Sequence, residues 1–443
     1  MKNIVCEGPN ILRGYFSPQG SKNGALPLIA CSIILNNVTK IRNVPNIEDI
    51  HTMLKILEGI GCKYDYNGWE LTIDSRSANR YEISWELASK MRASFDLLGA
   101  LVYRFEKAII PFPGGCLIGN RKIDMHLWIT KQLGFNVDID SGNVIVKDFD
   151  PHNVNPEINF WIPSVGATKN STFLGLFVSN QIQKTISFYN VAIEPEITYL
   201  WDFLKMNGFK IEYFTEQRCL KIHPSKPNPE NLVIVDNIPD RIEAGTFAIA
   251  TCTTRGHIII QDNNNPNYSV KTMLSKLWDV LSSIGIKIKF YSDQIEIDSD
   301  VELSSFEVST DVYPNFPTDL QPQIVALATS INGISVVREN LFDDRFVYTG
   351  ELLRLGADID VVNNKFAIIR GGKTLKGAPV KATDIRGGAA IITACLIAHG
   401  KSIITNTYQI YRGYENITQK LYSLGANISE ITIENHKEIT NVY

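Results

Sequence analysis

A chain of 443 residues with 43 Lys+Arg against 47 Asp+Glu has a net charge of only −4, so no bulk charge draws it to nucleic acid or to a membrane surface, and any anionic ligand must be held by a local cluster of cations. No run of eighteen apolar residues occurs, the N-terminal MKNIVCEGPNILRGYF has no apolar signal-type core, and the seven scattered cysteines show no CxxC spacing. The expectation is a reduced, cytoplasmic protein of ordinary globular composition, without a metal site and long enough for two domains.

One pattern recurs six times along the chain. An amphipathic helix end meets a glycine and then a strand-like run. This occurs in LEGIGCKYDY (Gly61), KQLGFNVDI (Gly134), KMNGFKIEYF (Gly208), SSIGIKIKFY (Gly285), LRLGADIDVV (Gly356) and YSLGANISEI (Gly425). The intervals are 73, 74, 77, 71 and 69 residues, too even for chance. Each unit opens with a helix of small apolar residues, such as LPLIACSIIL, AGTFAIATCTTRG or GGAAIITACLIAHG. A strand (VTKIRNV, HIIIQD, KSIITN), an acidic loop and an amphipathic helix such as IHTMLKILEGI or YENITQKLYSL follow. The glycine after that helix reads as a C′ cap in the left-handed region, and two short strands close the unit. Helices that are apolar nearly all round belong inside a cover of sheets. The fold class expected is therefore α/β, with two domains of three βαβαββ units each. One domain spans 22–238; the other joins 1–21 to 239–443, residues 1–21 supplying a strand that completes the sixth unit after the chain returns. Two domains built alike leave a cleft, and a ligand is expected there.

Candidate chemistry, in chain order, begins at Lys22 and Asn23, which follow Gly20 at the start of the first apolar helix. Backbone N–H groups and a lysine at a helix N-terminus suit an anion. Arg92, Arg241, Arg345, Arg386 and Arg412 are isolated, and surface solvation is the ordinary reading of any single one. Most of them sit at equivalent junctions of the repeat, before or after an apolar helix, so together they suit a small ligand carrying phosphate and carboxylate. The segment IIPFPGGCLIGNRKIDMHLW, with Pro111, Pro113, Gly114, Gly115 and Gly119, is a loop. Cys116 lies at its centre with Arg121 and Lys122 close behind, cations that favour the thiolate. Cys31, Cys252 and Cys395 are embedded in apolar helices and read as core. His126 and Trp128 read as structural members of the helix that follows. Among the acids Asp49, Asp124, Glu243, Asp319 and Asp384, Asp319 in YPNFPTDLQPQ is either a helix N-cap or a general base. No GxGxxG, Walker, HExxH or GxSxG motif occurs, so nucleotide-cofactor, metalloprotease and hydrolase readings have no support.

Taken together, these segments resemble the family of UDP-N-acetylglucosamine 1-carboxyvinyltransferases over essentially the whole chain. SKNGALP is similar to the family's SKNAALP, MRASFDLLGALVYRF to its MRAS segment, and PFPGGCLIGNRKIDMH to its PGGCxIGxRPVDxH loop. SVGAT, EPEI, DRIEAGTF, FPTDLQPQ, FDDRF, TDIRGGA and YRGYENI match in the same order. The resemblance implies an EPSP synthase-like fold, a two-domain inside-out α/β barrel of three repeated units per domain, with the active site in the interdomain cleft. It implies transfer of the enolpyruvyl group of phosphoenolpyruvate to the 3′-hydroxyl of UDP-N-acetylglucosamine with release of phosphate, the first committed step of peptidoglycan synthesis. The implied route is addition then elimination through a tetrahedral phospho-ketal, with neither metal nor cofactor.

By the same resemblance Lys22, Arg121 and Arg412 would hold the phosphate. Arg92 and Arg386 would lie nearby on the same anionic ligand, and Arg345 is counted with the substrate-binding residues. Cys116 would protonate the methylene carbon or capture phosphoenolpyruvate covalently, and Asp319 would take the proton of the sugar hydroxyl. Asn23 and Asp319 would orient the sugar, while Arg121, Lys122, Ile123, Asp124, Met125, Ser164, Val165, Gly166 and Leu341 would line the uridine and diphosphate site. The sequence departs from the family pattern where Lys122 loses a proline, where Gly24 replaces an alanine, where Gly387 and Gly388 replace Ala-Ser, and where Asp344 replaces an asparagine. The rival readings are an enolpyruvyl transferase for another uridine nucleotide and a non-catalytic binding paralogue. The shikimate-pathway relative shares the fold, but its loop lacks this cysteine. Neither nucleic acid nor a membrane is an expected partner, and the oligomeric state is not set by the sequence.

Overall fold

The computed structural model describes residues 2–112, 123–225, 227 and 232–432. Those residues form six sheets on one plan. In the first, the strand Val38–Arg42 pairs in parallel with Leu232–Asp236 and antiparallel with Leu71–Asp74, which pairs in turn with Lys63–Tyr66. The same order of one parallel and two antiparallel pairings surrounds the strands Ile186–Tyr189, His257–Gln261, Gly333–Arg338 and Gly400–Thr405. In the remaining sheet Ala108–Pro111 pairs antiparallel with Asn143–Phe149, which pairs in turn with Phe135–Asp140, and the parallel strand shrinks to a bridge between Glu82 and Ile109. The strand Lys2–Gly8 fills the place between Gly400–Thr405 and Ile428–Thr432, antiparallel to both, so the start of the chain completes the last repeat.

Strands such as Val38–Arg42 and Gln294–Asp298 alternate between buried and partly exposed residues, as in a sheet with one face covered. What covers that face is a set of helices buried nearly all round: Lys22–Leu35, Leu97–Phe105, Val165–Ile182, Arg241–Thr253, Gln321–Thr329 and Ile385–Cys395. Helices inside sheets is the expected inside-out arrangement. The covering is done by separate sheets, and none of them closes into a barrel among the described residues.

The chain divides into two compact units, one holding the described residues up to Gln19 and from Pro239 onward, the other those from Gly20 to Ile238. In the first, the helices Arg241–Thr253, Gln321–Thr329 and Ile385–Cys395 pack on one another. In the second, Leu97–Phe105 packs between Lys22–Leu35 and Val165–Ile182.

The outer helices of the repeat end as their glycines require. Gly61, Gly134, Gly208, Gly285, Gly356 and Gly425 all have φ between 86° and 107°, a region closed to most side chains. After the helix Glu48–Gly59 the Cys62 N–H reaches the Leu57 carbonyl at 3.0 Å and the Gly61 N–H the Glu58 carbonyl at 3.0 Å, the double bond pattern of a Schellman end. Phe209, Ile286, Ala357 and Ala426 repeat the longer of these bonds at 3.1–3.2 Å.

Candidate active site

Most of the candidate groups stand at the N-termini of the six buried helices. Lys22, Ser164–Gly166, Arg241, Asp319 and Arg386 are at or beside a helix start, and Arg92 opens the turn Arg92–Asp96 that leads into Leu97–Phe105. A repeated fold thus repeats one kind of place, a helix end rich in free N–H donors and favourable to anions.

In the unit from Gly20 to Ile238, Ser21 caps the first helix by accepting the Gly24 N–H at 3.1 Å. Pro27 has no N–H to give the Asn23 carbonyl, which removes one bond from the first turns of the helix. Lys22 Nζ lies 3.2 Å from Asp49 Oδ2, both side chains being largely buried. Gly24 faces Asn237. A Cβ at residue 24 would sit 2.5 Å from Asn237 Oδ1, and that amide is pinned by bonds to the Ser21 and Asn43 carbonyls at 2.9 and 3.0 Å. Glycine after Lys-Asn is therefore a packing demand of this chain.

Asp96 at the end of the Arg92 turn pairs with Lys169 of Val165–Ile182, and both are less than a tenth exposed. An ammonium in a helix this buried needs such a partner. His126, on the helix Asp124–Gln132, is 7% exposed and meets Phe95 edge-on at 5.5 Å. Burial, reinforced by Arg92 and Lys169, drives its pKa down to about 3, so the ring is neutral. Its Nδ1 has no hydrogen-bond partner among the described residues. Ser164 caps its helix by accepting the Ala167 N–H at 3.3 Å, which puts Val165 and Gly166 in the first turn. Ile123 and Met125 are buried and Asp124 is exposed.

In the other unit Asp319 lies in the turn Thr318–Leu320, which runs into Gln321–Thr329. Neither element takes a side-chain cap. Asp319 instead accepts from two guanidinium groups, Oδ1 from Arg345 Nη2 at 3.2 Å and Oδ2 from Arg386 Nη2 and Nε at 3.1 and 3.3 Å. The helix-cap reading of Asp319 is therefore not met.

Arg345 and Arg386 are 2% and 4% exposed. Burial opposes the charge on Arg386, yet Tyr414, Asp319 and Asp240 outweigh it and hold its pKa above the usual arginine value. Its guanidinium rests on the Tyr414 ring, 5.3 Å from the centroid. Arg386 Nη1 and Arg345 Nε are buried atoms with no hydrogen-bond partner among the described residues.

Glu339, fully buried, ties these parts together. Its Oε2 accepts the Thr318 hydroxyl at 3.0 Å, and its Oε1 accepts the N–H groups of Leu341 and Phe342 at 2.9 and 3.1 Å. The turn carrying Asp319 and the loop carrying Leu341 and Arg345 are thereby one hydrogen-bonded body. Arg412 follows the helix Tyr408–Tyr411, is 9% exposed, and donates from Nη1 to Gln409 Oε1 at 3.1 Å.

The other acids have plainer duties. Asp384 caps Ile385–Cys395 by accepting the Arg386 and Gly387 N–H groups at 3.0 and 3.1 Å. Glu243 is fully buried and accepts from the Gln19 N–H at 2.6 Å and Lys420 Nζ at 2.7 Å. Burial pushes its pKa up to about 7 against the pull of Lys420.

Direct bonds thus join Asp319, Arg345 and Arg386, and another joins Lys22 to Asp49. Cys116, Arg121 and Lys122 lie outside the described residues. Cys31, Cys252 and Cys395 are core, as their apolar helices suggest, and Cys6, Cys62 and Cys219 are buried as well. The sequence reading passes over Asp96, Lys169, Glu339 and Gln19. Lys169 alone gave a signal, a lone cation inside the run VGATKNSTFLGLFV, where a buried partner is obligatory.

A sequence profile of the EPSP synthase (3-phosphoshikimate 1-carboxyvinyltransferase) family matches residues 6–421. A protein from Thermotoga petrophila named UDP-N-acetylglucosamine 1-carboxyvinyltransferase is 36% identical over 435 residues, covering 98% of this chain and 100% of its own. Proteins of the same name from a Wolbachia of Brugia malayi and from Campylobacter jejuni are 37% identical, over 97% of this chain and 99% and 100% of theirs. Among solved structures, an enolpyruvyl transferase from Streptomyces tendae superposes with a TM-score of 0.86 at 22% identity, over 98% of this chain and 99% of that one. An EPSP synthase from Acinetobacter baumannii superposes with a TM-score of 0.72 at 14% identity, over 98% and 100%. At those identities the two structures speak for the fold alone.

Proposed function

The chain belongs to the EPSP synthase (3-phosphoshikimate 1-carboxyvinyltransferase) family, and we propose that within it the chain transfers the enolpyruvyl group of phosphoenolpyruvate to the 3′-hydroxyl of UDP-N-acetylglucosamine. The observation that carries this reading is the end-to-end match, at 36–37% identity, to proteins named for that reaction. The reading assigns the chain to the first committed step of peptidoglycan synthesis, a reaction of the cytoplasm. No helix among the described residues is long and apolar enough to cross a membrane.

Each group then has a task. Asp319 takes the proton of the sugar hydroxyl as its oxygen bonds to C2 of phosphoenolpyruvate, and a proton added at C3 completes a tetrahedral phospho-ketal. Phosphate leaves C2 as C3 gives up a proton, which forms the enolpyruvyl ether. Cys116 acts at the C3 end, as acid or as covalent captor. Lys22, Arg121 and Arg412 hold the phosphate, and Arg92, Arg345 and Arg386 attend the same anionic ligand. Arg345 and Arg386 are buried cations held in place by Asp319, which supports that role because a fixed, desolvated cation favours an anion. Asn23 orients the sugar, while Lys122, Ile123, Asp124, Met125, Ser164, Val165, Gly166 and Leu341 line the nucleotide.

Phosphate release from phosphoenolpyruvate is the test, measured with UDP-N-acetylglucosamine and separately with UMP. Release is expected with the sugar nucleotide alone. No release with either compound overturns the enzyme reading, and release with UMP overturns the choice of acceptor.

A further inference from the structure

Gln19 is 6% exposed and uses every hydrogen-bonding group it has. Its N–H donates to Glu243 Oε2 at 2.6 Å, and its carbonyl accepts the Asp240 N–H at 2.8 Å. Its side-chain Nε2 donates to the Gly413 carbonyl at 3.0 Å, and its Oε1 accepts the Glu415 N–H at 2.7 Å. The backbone is thus fixed to the start of the buried helix Arg241–Thr253, and the amide reaches across to a short strap, residues 412–415, grasping it on both sides of Tyr414.

That strap joins the helices Tyr408–Tyr411 and Ile417–Ser423. Arg412 is its first residue, one position before the carbonyl that Gln19 holds. Tyr414 is the ring on which Arg386 rests, and its hydroxyl meets Thr246 at 2.9 Å and Gln323 Nε2 at 3.2 Å. Lys420 on the following helix reaches back to Glu243, whose other oxygen holds Gln19. The contacts close a ring: helix start, Gln19, strap, following helix, and helix start again. A primary amide suits the joint because it offers a donor and an acceptor side by side, matching a carbonyl and an N–H two residues apart.

We infer that Gln19 is a positioning residue, setting the strap so that Arg412 and the Tyr414-supported Arg386 meet a phosphate-bearing substrate in the right place. The inference rests on the proposed role of Arg412 at the phosphate of phosphoenolpyruvate. All four hydrogen-bonding groups of Gln19 are taken by the protein itself. Gln19 acts by fixing the far side of a four-residue strap whose near side is already tied to the preceding helix, where the Arg412 N–H meets the Tyr408 carbonyl at 3.2 Å and the Gly413 N–H the Ile410 carbonyl at 3.0 Å, and misplacement of a binding cation by a fraction of an ångström is costly in rate.

The test is Gln19→Met, which keeps the side-chain length and removes both side-chain hydrogen bonds. The expected result is a rise of about tenfold in the KM for phosphoenolpyruvate and in the inhibition constant for inorganic phosphate, with the KM for UDP-N-acetylglucosamine within about twofold of wild type. A folded variant with both KM values unchanged, or with both raised equally, overturns the inference, since a merely structural amide would show that pattern. If the methionine variant does not fold, Gln19→Glu, which keeps the acceptor for Glu415 and loses the donor to Gly413, is read by the same split. An inactive wild type would instead count against the proposed reaction, so the two failures are distinct.

Discussion

Arg386 meets Asp319 with two of its nitrogens on one oxygen, Nη2 and Nε lying 3.1 and 3.3 Å from Oδ2. Arg345 occupies the other oxygen at 3.2 Å. The carboxylate is therefore aimed from both sides by planar groups that are themselves buried. Replacing Arg386 by lysine exchanges the fork for a point charge, and kcat/KM is expected to fall by about 100-fold. Asp319→Asn keeps the shape and loses the base, and kcat is expected to fall by about 1000-fold. Steady-state rates, read beside circular dichroism to show the fold intact, check both. An asparagine variant within tenfold of wild type would remove Asp319 from proton transfer.

Gly24 and Asn237 make a second pair that can be tested by mutation. An alanine at residue 24 puts its methyl 2.5 Å from Asn237 Oδ1 and 3.3 Å from Ile238 Cγ1. Asn237 cannot step aside without releasing the Ser21 and Asn43 carbonyls. Gly24→Ala is expected to cost about 1–3 kcal/mol, as overpacking of a filled site does. In the background of Asn237→Ala the same change should cost almost nothing, which a double-mutant cycle by urea denaturation measures. Additive costs would show that the two residues do not meet.

Much of this was legible in the sequence because it is written in periodic signals. The six glycines announce helix ends, and all six adopt positive φ. The apolar runs announce buried helices, and the candidate cations were found by asking what stands at their starts. What stayed hidden depends on contacts between distant residues. Asp319 and Arg386 are 67 positions apart, and Asp96 and Lys169 are 73. Nothing in the local sequence says that they touch. The choice between cap and base at Asp319 was likewise open, because a carboxylate at a helix start suits either duty until its partners are known. Gly24 read as a departure from a family pattern, and only Asn237, more than two hundred residues on, explains it. The strand expected in the second repeat is reduced to the Glu82 bridge, since YEISWELA gives a strand too few residues before a helix begins.

His126 gives the stability of the protein a predictable slope in acid. Its folded pKa of about 3 lies below the ordinary histidine value, so between the two the unfolded chain binds the extra proton. Stability is full above the unfolded value of about 6.5 and is lost as the pH falls toward the folded one, by about 2 kcal/mol between roughly pH 7 and pH 5. Glu243 acts in the opposite sense. Its raised pKa favours the folded state below about 4.5 and loses that advantage as the pH rises through about 7. His126→Gln isolates the histidine, because Glu243 is common to both proteins. Urea unfolding of the two at both pH values should show the wild type losing about 2 kcal/mol more than the variant. Parallel losses would mean that the ring is not held neutral.

The six cysteines in the described residues are all buried, and burial raises their thiols, Cys62, Cys252 and Cys395 each to about 12 and Cys31, Cys6 and Cys219 also upward. The thiolate is the nucleophile, so these six are shielded twice, by access and by protonation. Cys116, with Arg121 and Lys122 close behind it in sequence, is the residue expected to react with the epoxide fosfomycin. Intact-mass analysis should show one adduct per native chain, peptide mapping should place it at Cys116, and phosphate release should stop as the adduct forms. Cys116→Asp should take up no adduct under the same conditions. After denaturation all seven cysteines should react with iodoacetamide, which shows that the selectivity belongs to the fold. An adduct on any of the buried six, or full turnover by a chain modified at Cys116, would remove that residue from the reaction.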